Sequence, residues 1–183
     1  MSDAFAESVF HARHRVLGRR LRPLTLWHCW MLDFSGSWLA GRAEELTRED
    51  AVLAVWLCSL RPRLPGALPR MRWWARLRLA RAAARVPLPL LRAQMAAYLA
   101  DHAAPPVVFT SDSSRPVKSP WYLYLAAVLM RHAGFDERKA WATGSGYARH
   151  LALGVVEAEG KDIPLVSETE AAALVEAGHG GLV

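Results

Sequence analysis

The sequence predicts an all-α chain, an irregular bundle of about seven helices with one long Pro/Ser-rich loop. Three observations predict it. Apolar residues recur at three- and four-residue spacings, and no alternation is long enough to build a sheet. Ser, Thr or Asp precedes most apolar runs and Gly or Pro follows them, at helix-length intervals. The chain has 183 residues, 52% hydrophobic and 22% charged, which is enough to bury a core within a single domain.

The elements follow in order. Phe5, Val9, Phe10 and Val16 suggest a first helix over 4–17. Thr25 can cap a helix from Leu26 to Phe34, which "SGS" at 35–37 ends. Thr47 can cap the next, with Asp50 three residues on in a variant capping box and Pro62 as the stop. After the Pro/Gly connector 61–69, a helix over 68–86 is expected, then one from Leu90 to His102 beyond "PLP". Residues 104–120 carry four prolines and four serines around one apolar run, "VVF", and read as a loop with one extended segment. Ser119 and Pro120 open a helix from Trp121 to Ala133, which Gly134 closes. Asp136 caps "ERKAWA", "TGSG" breaks the chain, and a helix runs from Tyr147 to Glu159. Ser167 and Glu170 form a capping box for a last helix that Gly178 closes. The expected layout is one domain over 1–183: Trp/Arg-rich helices to 103, the loop 104–120, C-terminal helices over 121–178, and a tail at 179–183.

Charge is unevenly placed. The net charge is +6, yet residues 51–100 hold nine arginines and no acid, while 101–183 hold seven basic and ten acidic groups. Twenty of the 23 basic residues are arginine, a bias that genome composition alone can produce, so the count is weak evidence for phosphate binding. The eight tryptophans suit either the boundary of a core or an interface. "AVLAVWLC" and "WYLYLAAVLM" are well short of the roughly 20 residues that span a bilayer, and the first 16 residues have no secretory h-region. A soluble intracellular protein is expected.

Candidate chemistry is sparse. His11 and His14 share a helical face at ligand spacing, but no third ligand follows. His28 and Cys29 are adjacent, hence about 100° apart on a helix, and form no nucleophile–base pair. Cys29 and Cys58 read as buried free thiols, although two helices could also bring them within bridging range. Ser145 in "TGSGY" is not a nucleophile elbow, and no dinucleotide or P-loop motif is present. No catalytic residue, metal or cofactor is expected.

The segment "ALPRMRWWARLRLARAAARVPLPLLRAQ" (67–94) is the exception, with seven arginines and no acid. On a helix, Leu68, Met71, Ala75, Leu79, Ala82 and Val86 form one stripe that suits a core. Arg70, Arg78, Arg81 and Arg85 gather on another side with Trp74 among them, Arg72 and Arg76 flank the other edge, and Trp73 and Leu77 form a narrower third face. Such a surface suits a protein partner, a phosphate backbone through Arg70, Arg72, Arg76, Arg78, Arg81 and Arg85, or an anionic membrane. It also suits a solvated face neutralised by the chain's own acidic C-terminal helices. The burial of Trp74 distinguishes these readings.

Two blocks carry a family resemblance. "LRPLTLWHCWMLDFSGSWLAG" followed by "LTREDAVLAVWLCS", and "HAGFDERKAWATGSGYARHLALGVVEAEGKDIPLVSETE", resemble small proteins of the structural-gene regions of tailed phages and prophages, often called tail assembly chaperones. The blocks hold no catalytic signature. "TGSGY" departs from the proline-containing helix start expected there, and the arginine segment has no counterpart. The resemblance implies a non-enzymatic assembly protein in the cytoplasm of the bacterial host. Its partners would be phage structural proteins, the tape-measure and tail-tube proteins. Residues Arg70, Trp74, Arg78, Arg81 and Arg85 are the candidate partner-binding set, and a nucleic-acid-binding protein is the alternative.

Overall fold

The computed structural model describes residues 13–42, 44–66, 68–103, 107–108, 120–160 and 165–166. Within them lie seven α-helices: α1 (Leu26–Phe34), α2 (Arg48–Ser59), α3 (Trp73–Ala84), α4 (Leu88–Ala103), α5 (Trp121–His132), α6 (Glu137–Ala142) and α7 (Ser145–Ala158). A 3₁₀ turn spans Trp38–Ala40. Two antiparallel ribbons of two residues per strand complete the described elements, β1 (Arg15–Val16) with β2 (Arg19–Arg20), and β3 (Val107–Val108) with β4 (Leu165–Val166). The protein is all-α in character, an irregular bundle. The last helix expected after Ser167, the tail 179–183 and most of the loop 104–120 lie outside the described residues.

The first expected helix needs correction. Residues 1–12 lie outside the described set, but the part that is seen forms a hairpin rather than a helix end. Leu17 (φ 50°) and Gly18 (φ 74°) make the two-residue connection. Both central residues at positive φ match the twist of antiparallel strands, and glycine adopts that region without steric cost. Val16 still reaches the core, so its apolar character served a strand and not a helical face.

The helix starts are well explained by their caps. Thr47 accepts the Asp50 N–H through Oγ1 at 3.1 Å, but the carboxylate does not reach back as in a full capping box. Instead, Asp50 Oδ2 accepts the Trp38 N–H at 3.0 Å and ties the 3₁₀ turn to α2. Asp136 Oδ1 accepts the Lys139 N–H at 2.8 Å, starting α6. Pro120 sits just before α5 as its N-cap. At the other end of α5, Gly134 turns the chain at φ 65°, and the Phe135 N–H returns to Leu129 O at 3.2 Å. Ser145 opens α7 two residues earlier than the expected Tyr147.

α1 occupies the middle of the fold. It contacts α2, α5, α6, α7 and the 3₁₀ turn, and buries Leu26, Trp27, His28, Cys29, Met31 and Leu32. A nine-residue helix is too short to be stable alone, so this packing holds it. α5 packs on α7 and α1, with Leu125, Ala126 and Leu129 inward; α2 packs on α3 and α1. Leu91, Met95 and Tyr98 of α4 complete the core.

A buried polar node joins these helices. The Leu26 N–H donates to Thr143 O at 3.1 Å, and the Ser145 N–H donates to Leu24 O at 2.8 Å, so residues 24–26 pair with the link between α6 and α7. Ser145 Oγ donates to His102 O at 2.7 Å, reaching α4. The His28 Nδ1 accepts the Thr25 N–H at 3.2 Å and lies 2.8 Å from Thr25 Oγ1; its Nε2 is 3.2 Å from Leu60 O, at the end of α2. Since Nδ1 accepts from a backbone N–H, Nε2 carries the proton and donates to the carbonyl, which fixes the neutral tautomer. Burial, which outweighs the Leu60 carbonyl, lowers the His28 pKa to about 4. Tyr98 OH adds a further tie, donating to Arg22 O at 2.8 Å.

Two outcomes are expected from unfolding experiments. Leu129→Ala, at a fully buried position, should cost about 2–5 kcal/mol in urea titration, whereas exposed Leu123→Ala should cost less than about 1. His28 titrates at about 4 in the fold against 6.5 when exposed, so the unfolded chain takes up its proton first. Its contribution is therefore complete above about pH 6.5 and declines as pH falls toward 4, by about 3 kcal/mol in all. His28→Gln should flatten that part of the stability–pH profile.

Candidate functional site

α3 is the arginine-rich helix, and its sequence places it imperfectly. It spans Trp73–Ala84 rather than 68–86. Pro69 holds Leu68 away from helical geometry, and Pro87 does the same for Val86. Arg72 is the N-cap and makes no side-chain cap bond; Arg85 is the C-cap. Leu68, Met71 and Val86 still pack against the core, but from the connectors and not from a helical stripe.

That shortening rotates the inward face. Ala75, Leu79 and Ala83 are the buried residues of α3, four apart, while Ala82 is only half-buried. Opposite them, at the centre of the outward face, stand Trp73 (77% exposed), Trp74 (41%) and Leu77 (40%) with Arg81. Trp73 and Leu77 are thus not a minor third face but part of one aromatic and apolar ridge. Arg76 lies to one side and Arg78 to the other. Arg70 and Arg85 extend the cationic border from beyond the two helix ends. All of Arg70, Arg72, Arg76, Arg78, Arg81 and Arg85 are exposed.

The chain's described acids do not neutralise this surface. Among the described residues the close contacts between acidic and basic side chains are His14–Asp101, Arg42–Asp33 and His132–Glu159, none on α3. The guanidinium–indole contacts among them also lie elsewhere, Arg92 over Trp38 and Arg149 over Trp121. α3 has no acid in its first turn, so Arg72 and Arg76 sit at the positive end of the helix dipole. Each such placement is unfavourable by about 0.3–1 kcal/mol at low ionic strength. At the opposite end, Arg48 of α2 donates to the carbonyls of Ala83 and Val86, the latter at 2.8 Å. α3 is therefore fastened by the narrow stripe of Ala75, Leu79 and Ala83 and by Arg48, while its outward side carries charge that an anionic surface would offset.

A second feature escaped the sequence. A cleft of about 530 Å³ opens beside α1, between the end of the 3₁₀ turn and the facing parts of α5 and α7. Asp33 lines it and is held by Arg42 Nη2 at 3.2 Å, by Arg42 Nε, and by Tyr122 OH at 2.6 Å. The Arg42 contact holds the Asp33 carboxyl below the usual range, and burial followed by the Asp33 bond pushes the Tyr122 phenol up. Arg149 of α7 also lines the cleft, its guanidinium 4.3 Å from the Trp121 ring centroid. Asp33 and Tyr122 are 89 positions apart, and no spacing rule connects them.

The remaining titratable candidates are built into the fold. His14 pairs with Asp101 at 2.6 Å and packs edgewise on Tyr98 and His102; His11 lies outside the described residues. Cys29 and Cys58 are free and buried, and burial pushes both thiols up to about 12. His28 is turned to Thr25 and Leu60 rather than to its neighbour Cys29. Among the described residues no helix is long and apolar enough to cross a membrane.

No family model, curated protein or solved structure matches this chain.

The thiols give a direct check on this packing. With two cysteines in the chain, native protein at pH 8 should show no rapid reaction with a disulfide reagent, and unfolding in guanidinium should release two equivalents. A thiol that reacts within seconds in the native state would place Cys29 or Cys58 at the surface.

Proposed function

We propose that this chain is a non-enzymatic docking protein that holds a helix of another protein against the outward face of α3. We place that role in phage tail assembly, where the partner would be the tape-measure protein or a tail-tube subunit, in the cytoplasm of the bacterial host. The observation that carries the reading is the exposure of Trp73, Trp74 and Leu77 in a ridge with arginines on both flanks.

The physical argument favours a protein. A large apolar side chain gains about 1.5–3 kcal/mol on passing from full exposure to full burial; Trp73, 77% exposed, has most of that to gain, and Trp74 and Leu77, about 40% exposed, a smaller part. Tryptophan and arginine are the side chains most often central to protein interfaces. The complementary surface is an amphipathic helix, with an apolar seam for the ridge and acids along its edges. A nucleic acid would be met first by the most outward groups, and here those are Trp73, Trp74 and Leu77 with one guanidinium, Arg81, while the other arginines stand at the margins. The tail-assembly setting comes from the sequence blocks at 21–41, 46–59 and 132–170, not from α3.

Co-expression with a tape-measure protein should yield a soluble complex that survives purification in 0.3 M salt. Trp73→Ala with Trp74→Ala should weaken it by roughly 30-fold or more, while costing no more than about 1–2 kcal/mol of folding stability, because Trp73 is largely exposed and Trp74 is only partly covered. Arg78→Glu with Arg81→Glu should weaken it further at low salt than at high salt. Failure of two folded partners to co-purify would overturn the tail-assembly reading. Binding of DNA or RNA whose affinity falls steeply with salt, the slope dropping by about one per arginine removed, would replace the protein partner with a nucleic acid.

A further inference from the structure

We infer that the outward face of α3 receives residues 167–178 of a second copy of this chain, so that self-association occupies the docking face until a partner helix displaces the segment. Such a contact rests on α3 being a docking face, as proposed above, and adds a control on that face.

Charge and side-chain pattern select this occupant. α3 carries Arg76, Arg78 and Arg81 and no acid. Residues 167–178, "SETEAAALVEAG", carry Glu168, Glu170 and Glu176 and no base. The segment lies outside the described residues. Its sequence reads as a capped helix, and it has twelve residues, as α3 has. At 100° steps, Ala171, Leu174 and Val175 form one apolar seam. Glu170 borders the seam on one edge, and Glu168 and Glu176 lie toward the other. The ridge of Trp73, Trp74 and Leu77 is flanked in the same way, by Arg76 on one side and Arg78 on the other. Seam against ridge therefore sets glutamates beside arginines along both edges. The charges fix register and speed encounter, and the covered apolar groups supply the hold.

The occupant comes from another copy because Trp73 is 77% exposed within the single chain, and a segment of the same chain seated there would cover it. A contact of α3 with α3 would set arginine against arginine, which is repulsive. Reciprocal exchange of the acidic segments avoids that repulsion and closes the pair as a two-fold dimer with two such contacts.

The test is disulfide trapping between two full-length variants, Leu77→Cys in one and Leu174→Cys in the other. They are mixed under mild oxidation at low salt, with an affinity tag on one to mark mixed dimers. The native thiols are buried and do not compete. A mixed covalent dimer should form about tenfold or more faster than when Val9→Cys replaces Leu174→Cys or Leu123→Cys replaces Leu77→Cys, because docking raises the local thiol concentration. Val9 stands for residues 1–12, the competing occupant, and Leu123 for the exposed side of α5. Glu168→Gln with Glu170→Gln and Glu176→Gln should slow trapping, as should added salt. Trapping through Val9→Cys or Leu123→Cys at an equal or greater rate would overturn the assignment. So would a disulfide closed within one chain that carries both Leu77→Cys and Leu174→Cys. Where circular dichroism shows that a variant does not fold, sedimentation of the unaltered chain decides: a dimer that dissociates on dilution and in salt is expected, and a monomer up to about 0.1 mM would overturn the contact. No tape-measure protein is present in these mixtures. Trapping without co-purification removes only the tail-assembly partner, and co-purification without trapping removes only the self-association.

Discussion

Thr25 and His28 stand where α1, α2, α4 and the α6–α7 link meet, and the bundle depends on what they bond. Residues 24–26 exchange backbone hydrogen bonds with Thr143 and Ser145, Ser145 Oγ reaches α4 through His102 O, and His28 reaches the end of α2 through Leu60 O. Each group in such a network must be satisfied, because a polar atom left unpaired in a dry interior costs about 1–3 kcal/mol. The condition is met: among the described residues no buried side-chain nitrogen or oxygen lacks a partner. Apolar packing supplies most of the driving force, but it is non-directional. The node supplies direction, since these bonds form together only when the helices stand in one arrangement.

The two surface features follow from that arrangement. α1 is fixed by the node and in turn positions α2, which carries α3 on its far side. α3 buries little beyond Ala75, Leu79 and Ala83, so most of its circumference faces away from the core. A sequence with tryptophans and a leucine on that outer side places them in water by necessity, not by chance fluctuation. The cleft has the same origin. α5 and α7 pack on each other and on α1, and the polar cluster of Asp33, Arg42 and Tyr122 occupies the gap beside Leu39 where their side chains do not fill the space.

Legibility in the sequence divides by range of interaction. Thr25, Thr47 and Asp136 announced α1, α2 and α6 because a cap acts over three residues, and each cap bond is present. The helical class was equally legible from periodicity. The hairpin at 15–20 was not, since two-residue strands are too short to alternate, and Gly18 was the one local signal available. The face of α3 was half legible: the arginines were evident, but the inward direction depends on where the helix begins, which Pro69 and the contacts of Leu68 and Met71 decide. For His28 the helical spacing excluded only a pairing with its neighbour Cys29, and its bond to Leu60, 32 positions away, has no sequence signature. The Asp33–Tyr122 contact and Arg149's place beside Trp121 were invisible for the same reason.

The node is tested most directly by nitrogen-15 NMR of the His28 ring across pH in the folded protein. The expected spectrum is that of a neutral imidazole protonated at Nε2, unchanged from pH 8 down to about 5, with a midpoint near 4 as the chain begins to unfold. An Nδ1-protonated ring, or a midpoint at or above the ordinary 6.5 with the fold intact, would contradict the account.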